Sequence, residues 1–118
     1  MNKKTILIAE DNDSNFMYLN ILLRSKYHII HAENGREAVE MAQSQHPDAI
    51  LMDIKMPLMN GIEAIREIRK TLSLPIIIQS SFAFDQDIDE ALAAGANSYL
   101  TKPILSAQLE AELSKYGI

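Results

Sequence analysis

The stretch AILMDIKMPLMNGIEAIREI, residues 49–68, contains the two patterns that decide the fold. Its first part, Ala49–Asp53, is apolar up to the closing aspartate, as expected for a parallel strand covered on both faces. Ile62, Ile65 and Ile68 then recur at helical spacing after a short loop. The stretch therefore predicts a buried strand followed by a helix that packs against it.

The same strand-then-helix pattern occurs five times along the chain. The candidate strands are Thr5–Ala9, His28–Ala32, Ala49–Asp53, Pro75–Ser80 and Ser98–Thr101. The apolar faces of the five helices are assigned to Phe16, Leu19 and Leu23; Ala38 and Ala42; Ile62, Ile65 and Ile68; Ile88, Ala91 and Leu92; and Leu105, Leu109 and Leu113. Five consecutive βα units predict an α/β fold with an open, doubly wound parallel sheet and right-handed crossovers.

Composition limits the classes of function. The 118 residues suffice for one domain, expected to span 1–118, and the absence of cysteine excludes disulfides, thiolate metal sites and cysteine nucleophiles. A net charge of −5 argues against sequence-independent nucleic-acid binding. Apolar runs are far shorter than the roughly 20 residues of a membrane span, and no signal peptide is recognisable. We expect a cytoplasmic protein without membrane insertion.

Polar side chains follow most of the predicted strands. Glu10 and Asp11 follow the first strand, Asp53 ends the third, Ser80 ends the fourth, and Lys102 follows the fifth. Ligands of doubly wound sheets bind at the carboxyl ends of the strands, so these groups are expected to converge there. Clustered carboxylates suit Mg²⁺, with Asp11 and Asp53 as the expected direct ligands. Beside the cation, a carboxylate can attack phosphorus while a lysine and a hydroxyl contact phosphoryl oxygens.

Each of these residues also has an ordinary structural interpretation. Acidic residues after a strand often precede a helix N-terminus, and a lone lysine is usually a solvated surface charge. The coincidence of such groups at nearly every strand end favours a functional site. Purely structural roles are expected for two other sets, namely His28, His31 and His46, and Met52, Met56 and Met59.

These residues make the chain resemble the receiver domain of two-component response regulators and phosphorelays, most closely the receivers of hybrid sensor histidine kinases. The segments that carry the resemblance are ILIAEDND, AENGREAVE, ILMDIKMPLMNGIEA, PIIIQSS and AGANSYLTKPI, in chain order. They run essentially from end to end. The resemblance implies a flavodoxin-like three-layer (βα)5 sandwich with strand order 2-1-3-4-5.

The resemblance also implies a role for each site residue. Asp53 would be the phosphoacceptor, and Mg²⁺ would be held by Glu10, Asp11, Asp53 and the backbone carbonyl of Lys55. Lys102 would pair with the phosphoryl group, and Ser80 and Tyr99 would be the switch residues. Ser80 stands where threonine is commoner, and Ser81 is somewhat larger than the usual residue after it. The resemblance, with a tight reversal after the last strand, predicts a cis bond between Lys102 and Pro103.

In this interpretation the protein receives a phosphoryl group from a histidine kinase or a histidine phosphotransfer protein. It then changes conformation and controls contacts with a downstream protein target, without nucleic acid. It is not an enzyme beyond self-phosphorylation and slow self-dephosphorylation, and Lys55 and Phe82 are expected to tune the phosphoryl lifetime. The starting methionine instead suggests a free-standing regulator or an N-terminal receiver, so hybrid-kinase attachment stays open.

Two other functions are considered. A Mg²⁺-dependent phosphohydrolase that works through an aspartyl phosphate would place a second aspartate two positions after the nucleophile, where this chain has Lys55. A phosphorylation-independent interaction domain would not need the acidic pair, Asp53 and Lys102.

Overall fold

The computed structural model describes residues 3–81 and 84–118, and strands alternate with helices throughout. In chain order the elements are β1 (Thr5–Ala9), α1 (Asp13–Leu23), β2 (His28–Ala32), α2 (Gly35–Gln45), β3 (Ala49–Asp53), α3 (Gly61–Arg69), β4 (Ile76–Ser80), α4 (Asp85–Ala94), β5 (Ser98–Thr101) and α5 (Ser106–Lys115). The strands form one parallel sheet in the order β2-β1-β3-β4-β5. This confirms the predicted doubly wound α/β sheet and its strand order.

Both faces of the sheet are covered, which explains why the central strands lack polar alternation. One core cluster joins alternate sheet residues such as Leu7 and Ile50 to α2, α3 and α4. The other joins the intervening residues, such as Ile6 and Leu51, to α1 and α5. Every residue of β3 is buried, and Asp53 is the only charged one among them. The three layers thus bring this carboxylate to the end of a strand that is otherwise apolar.

Asparagine caps begin the first three helices. The side chains of Asn12, Asn34 and Asn60 each accept a hydrogen bond from the backbone N–H three residues later. At α3 the cap is reciprocal, because the Glu63 side chain also accepts from the Asn60 backbone N–H. These caps satisfy backbone N–H groups of the first helical turn, which have no acceptor within the helix, and they fix where each helix starts after its strand. The loops between β1 and α1 and between β3 and α3, which carry Asp11 and Lys55, therefore have defined ends.

The structure corrects three details of the predicted elements. β4 begins at Ile76 rather than Pro75. The Pro75 carbonyl still accepts from the Ile50 N–H, but proline has no N–H to extend the ladder. Leu92 and Leu105, assigned to the core from their spacing, are 44% and 66% exposed. Leu105 lies at the N-cap of α5, before the helical turn that would have directed it inward.

The three methionines pack as predicted. Met52 is fully buried, and Met56 and Met59 are partly buried against the same core cluster, as packing residues. Within residues 3–81 and 84–118, no helix combines the length and apolar character needed to cross a bilayer. Phe82, named as a residue that tunes phosphoryl lifetime, lies outside the described residues.

Candidate functional site

Three carboxylates meet at the carboxyl end of the sheet. Glu10 directly follows β1, and its backbone N–H donates to the Ala32 carbonyl, which holds it against β2. Its side chain is fully buried, Asp53 is 7% exposed, and Asp11 is exposed. One oxygen from each of Glu10, Asp11 and Asp53 lies within 4.8 Å of the others. The sequence prediction that these three groups converge is confirmed.

Lys102 lies between two of these carboxylates. Its Nζ is 2.6 Å from Glu10 Oε1 and 3.1 Å from Asp53 Oδ2, and its side chain is largely buried. The Lys102 backbone N–H donates to the Ser80 carbonyl at 2.7 Å, which continues the β4–β5 pairing beyond the strand. The following bond, Lys102–Pro103, is cis, as expected. The ammonium thus bridges the ends of β1 and β3 from the end of β5.

Burial and neighbouring charges shift the pKa values of two residues in the cluster. Burial raises the pKa of Glu10 from its ordinary 4.5 to about 7, and the charge and hydrogen bonding of Asp53 add to the rise while Lys102 opposes it. Burial alone would lower the pKa of Lys102, but its contacts with Glu10 and Asp53 outweigh burial and raise it. The lysine is therefore charged at neutral pH, whereas the Glu10 carboxylate lacks enough positive charge around it.

The loop after β3 packs tightly on the backbone of Asp53. The Gly61 N–H donates to the Ile54 carbonyl at 2.8 Å, which closes the loop that contains Lys55. A Cβ on Gly61 would lie 2.0 Å from the Asp53 carbonyl oxygen, so only glycine fits at this position. This close approach holds the loop beside the carboxylates and leaves the Lys55 side chain exposed.

The two expected switch residues occupy neighbouring strands. Ser80 is buried at the end of β4 and pairs in register with Thr101 of β5. Tyr99 lies opposite Ile78 in the same register and packs, partly buried, against the core cluster beneath α2, α3 and α4. Ser80 thus lies at the edge of the site, and Tyr99 lies further from it along the sheet.

Two residues at the site have contacts that sequence analysis missed. His31 was expected to have only a structural role, and its Nε2 lies 2.8 Å from the Glu10 carbonyl oxygen at the site. Its ring also stacks on Phe16 at 3.7 Å between centroids. Gln79 is buried on β4 next to Asp53. The signal that could have identified Gln79 was its polar side chain within the otherwise apolar run of IIIQS. His28 and His46 are exposed, as expected of residues outside the site.

A parallel sheet in this strand order, with an acidic cluster and a bridging lysine at its carboxyl edge, defines a class of α/β signalling domain. The family described as "Response regulator receiver domain" matches residues 6–114. The chain belongs to this family, the receiver domains of two-component signalling.

Known proteins of this family are similar over most of the chain. The polar-differentiation response regulator DivK of Brucella ovis is 32% identical over 105 residues, which cover 86% of this chain and 85% of DivK. The receiver domain of the sensor histidine kinase PA1611 from Pseudomonas aeruginosa PAO1 is 37% identical, with a TM-score of 0.90 and 97% coverage of both chains. That structure has a magnesium ion coordinated in its active site cleft. The response regulator domain of Thermotoga maritima CheB is 34% identical, with a TM-score of 0.83 and coverage of 97% of this chain and 92% of that one.

Proposed function

We propose that residues 1–118 form one receiver domain that accepts a phosphoryl group on Asp53. One observation carries this assignment: the Asp53 carboxylate lies at the end of the buried central strand β3, 3.1 Å from the Lys102 ammonium. It also lies within reach of two further carboxylates, Glu10 and Asp11. This combination supports the assignment, because a nucleophile, a cation and candidate metal ligands would then act together.

The residues present fit a magnesium ion. Mg²⁺ prefers oxygen ligands from one or two carboxylates together with waters, and the three clustered carboxylates supply such oxygens. The raised pKa of Glu10 supports this, because burial leaves its carboxylate short of compensating positive charge. Asp11, Asp53 and the Lys55 carbonyl would be direct ligands, and Glu10 would act through water. When bound, Mg²⁺ would neutralise negative charge on the phosphoryl oxygens.

The phosphoryl transfer needs few groups from this chain. A carboxylate oxygen of Asp53 forms a bond to phosphorus while the phosphorus–nitrogen bond of a partner's phosphohistidine breaks. The nitrogen keeps the bonding electron pair, and the ring leaves as neutral imidazole when its other nitrogen carries a proton. Lys102, already beside Asp53, pairs with a phosphoryl oxygen, and the Ser80 hydroxyl donates to another.

Phosphorylation changes the charge at the switch residues. The phosphoryl group adds about one negative charge and new acceptor oxygens at Asp53. Movement of Ser80 toward those oxygens would open space beneath β4, into which the Tyr99 ring can turn. The surface formed by α4, β5 and α5 would change and would contact the downstream protein target.

The site lacks a feature that rapid hydrolysis requires. A phosphohydrolase of the aspartyl phosphate type uses an acid two positions after its nucleophile, and Lys55 occupies that position here with an exposed side chain. The domain would therefore act as a signalling phosphoacceptor with slow self-dephosphorylation, tuned by Lys55 and Phe82, and not as an enzyme with turnover. A histidine kinase or phosphotransfer protein would be its donor in the cytoplasm.

The test is labelling by a small acyl phosphate in the presence of Mg²⁺, followed by measurement of the intact mass. Wild type should gain one phosphoryl group, and chelation of Mg²⁺ should prevent the gain. Asp53→Asn should gain none, whereas Asp89→Asn, which alters an exposed aspartate on α4, should be labelled like wild type. Equal labelling of Asp53→Asn, or labelling without divalent metal, would contradict the assignment. Labelling by a phosphorylated histidine phosphotransfer protein would then establish the class of donor.

A further inference from the structure

A groove of about 440 Å³ opens beside the proposed phosphorylation site. Tyr18 and Leu19 of α1 line one side, and Lys102 and Ile104, which follow β5, line the other. The Tyr18 hydroxyl donates to the Ile104 carbonyl and so ties the two sides together. The volume falls within the roughly 300–1,000 Å³ of small-molecule sites, and the groove is accordingly large enough for a ring of six atoms with a substituent.

The groove also contains a buried polar group without a partner. Gln79 is 1% exposed, and its Nε2 has no hydrogen-bond acceptor in the part of the chain that the structure describes. Side chains alternate along β4, so Gln79 shares the sheet face of Ile77, which packs in the cluster with α1 and α5. An unsatisfied buried donor destabilises the folded protein. A ligand oxygen in the groove could satisfy this donor once the Gln79 side chain turns to expose Nε2, which is closed to solvent.

We propose that this groove binds a small, mainly apolar molecule whose neutral carbonyl oxygen accepts a hydrogen bond from Gln79 Nε2. The apolar body of the ligand would contact Leu19, Ile104 and the Tyr18 ring. The amide N–H₂ group requires an acceptor, which a carbonyl supplies without a charge.

Charge explains why the ligand is neutral. Lys102 is the only charged residue among those that line the groove in the described ranges, so the groove wall offers a cationic ligand no carboxylate partner. Its ammonium already contacts the carboxylates of Glu10 and Asp53, which would repel an anion at that end. A neutral carbonyl compound avoids both penalties. The proposal does not depend on phosphorylation, because Gln79 and Leu19 have no part in the proposed transfer.

Acetophenone, which joins an apolar ring to one neutral carbonyl, is the probe. It is titrated into the unphosphorylated, isotope-labelled protein while the Gln79 side-chain amide signals are followed by NMR. We expect a saturable shift with a dissociation constant on the order of millimolar, because the probe has few atoms. Benzoate and 1-phenylethylamine keep the ring but replace the carbonyl by an anion and a cation, and both should bind at least about fivefold more weakly.

Variants isolate the role of the amide. Gln79→Met keeps the length of the side chain without the donor, and it should weaken acetophenone binding at least about tenfold as judged by backbone signals. Gln86→Met removes an amide from the exposed face of α4 and should leave binding unchanged. If Gln79→Met does not give a folded spectrum, Gln79→Leu replaces it.

Three results would overturn the proposal. One is the absence of a saturable shift, as expected if Gln79 bonds only to a trapped water. The others are equal binding by wild type and the folded Gln79 variant, and tighter binding of either charged compound.

Discussion

The Lys102 ammonium lies 2.6 Å from a carboxylate oxygen of Glu10, although 92 positions separate the two residues in the sequence. The contact joins the end of β5 to the end of β1, two strands that are not neighbours in the sheet. The same ammonium reaches Asp53 on β3, which lies between them. Lys102 therefore balances the charge of two of the three carboxylates in the acidic cluster.

The burial of Glu10 should make the stability of the metal-free protein depend on pH. Folding raises the Glu10 pKa from 4.5 to about 7, so the folded state holds this proton more tightly than the unfolded chain does. The resulting stability is fully present below about pH 4.5 and is lost as pH rises through about 7. Urea denaturation between pH 5 and 8 in a chelator measures this loss.

Glu10→Gln should flatten that pH profile, because its amide cannot lose a proton. Glu40→Gln, at an exposed position of α2, is the control and should keep the wild-type slope. An unchanged slope in Glu10→Gln would show that other groups cause the dependence.

Magnesium affinity should depend most strongly on Asp11. Asp11→Asn removes one negative charge from the three-carboxylate cluster and should weaken Mg²⁺ binding on the order of tenfold or more. Glu10→Gln should cost less affinity, since Glu10 is expected to act through water. Calorimetric titration at pH 8 measures both, and Asp13→Asn, at an exposed residue of α1, should bind like wild type. Equal affinity of Asp11→Asn and wild type would remove Asp11 from the ligand set.

Loss of Lys102 should be partly repaired by Mg²⁺. Lys102→Met leaves Glu10 and Asp53 without their shared counter-ion and should destabilise the metal-free protein at pH 7.5 by about 3–5 kcal/mol. Bound Mg²⁺ restores positive charge to the cluster, so it should raise the Tm of the variant more than that of wild type. Lys70→Met, which breaks an exposed ion pair with Glu67, should show the wild-type response. An equal rise in the Tm of Lys102→Met and of wild type on addition of Mg²⁺ would contradict this prediction.

Gly61 should tolerate no side chain. Gly61→Ala would place a Cβ 2.0 Å from the Asp53 carbonyl, so the β3–α3 loop must move or the fold must weaken by several kcal/mol. Gly117→Ala is a useful comparison, because Gly117 has a φ of 74° but open space around it. That change should cost only about 1 kcal/mol from backbone conformation. Chemical denaturation of both variants checks the expected order, and the opposite order would contradict the steric argument.

Sequence analysis recovered the fold because local patterns encode it. Apolar runs such as Ala49–Asp53 have the composition of strands covered on both sides, and the five βα units leave few arrangements open. The convergence of Glu10, Asp53 and Lys102 followed from the rule that sites lie at the carboxyl ends of strands. The resemblance to receiver domains added the strand order and the cis bond at Pro103.

What the sequence could not provide is tertiary contact between distant segments. Helical spacing placed Leu92 and Leu105 in the core, but spacing alone cannot tell which apolar positions a neighbouring element covers. The contact of His31 with the Glu10 carbonyl requires the β1–β2 register, which no local pattern specifies. The need for glycine at position 61 likewise arises from the Asp53 backbone and not from the conformation of a turn.

Tyr99 should report the state of Asp53 through Ser80. Tyr99 is only partly buried against the core cluster, and Ser80 lies two pairs further along the β4–β5 ladder, so space released by Ser80 is available to the ring. Addition of Mg²⁺ and beryllofluoride, which mimics the phosphoryl group, should draw Ser80 toward Asp53 and shift the Tyr99 ring inward.

NMR of ring-labelled tyrosine, or a crystal structure with and without the mimic, measures the Tyr99 orientation. Ser80→Ala removes the hydroxyl that links the two sites, so the mimic should still bind but the Tyr99 response should fall by at least about half. Ser114→Ala, at an exposed position of α5, should keep the full response. An identical Tyr99 orientation with and without the bound mimic in wild type would eliminate the coupling and leave phosphorylation of Asp53 untouched.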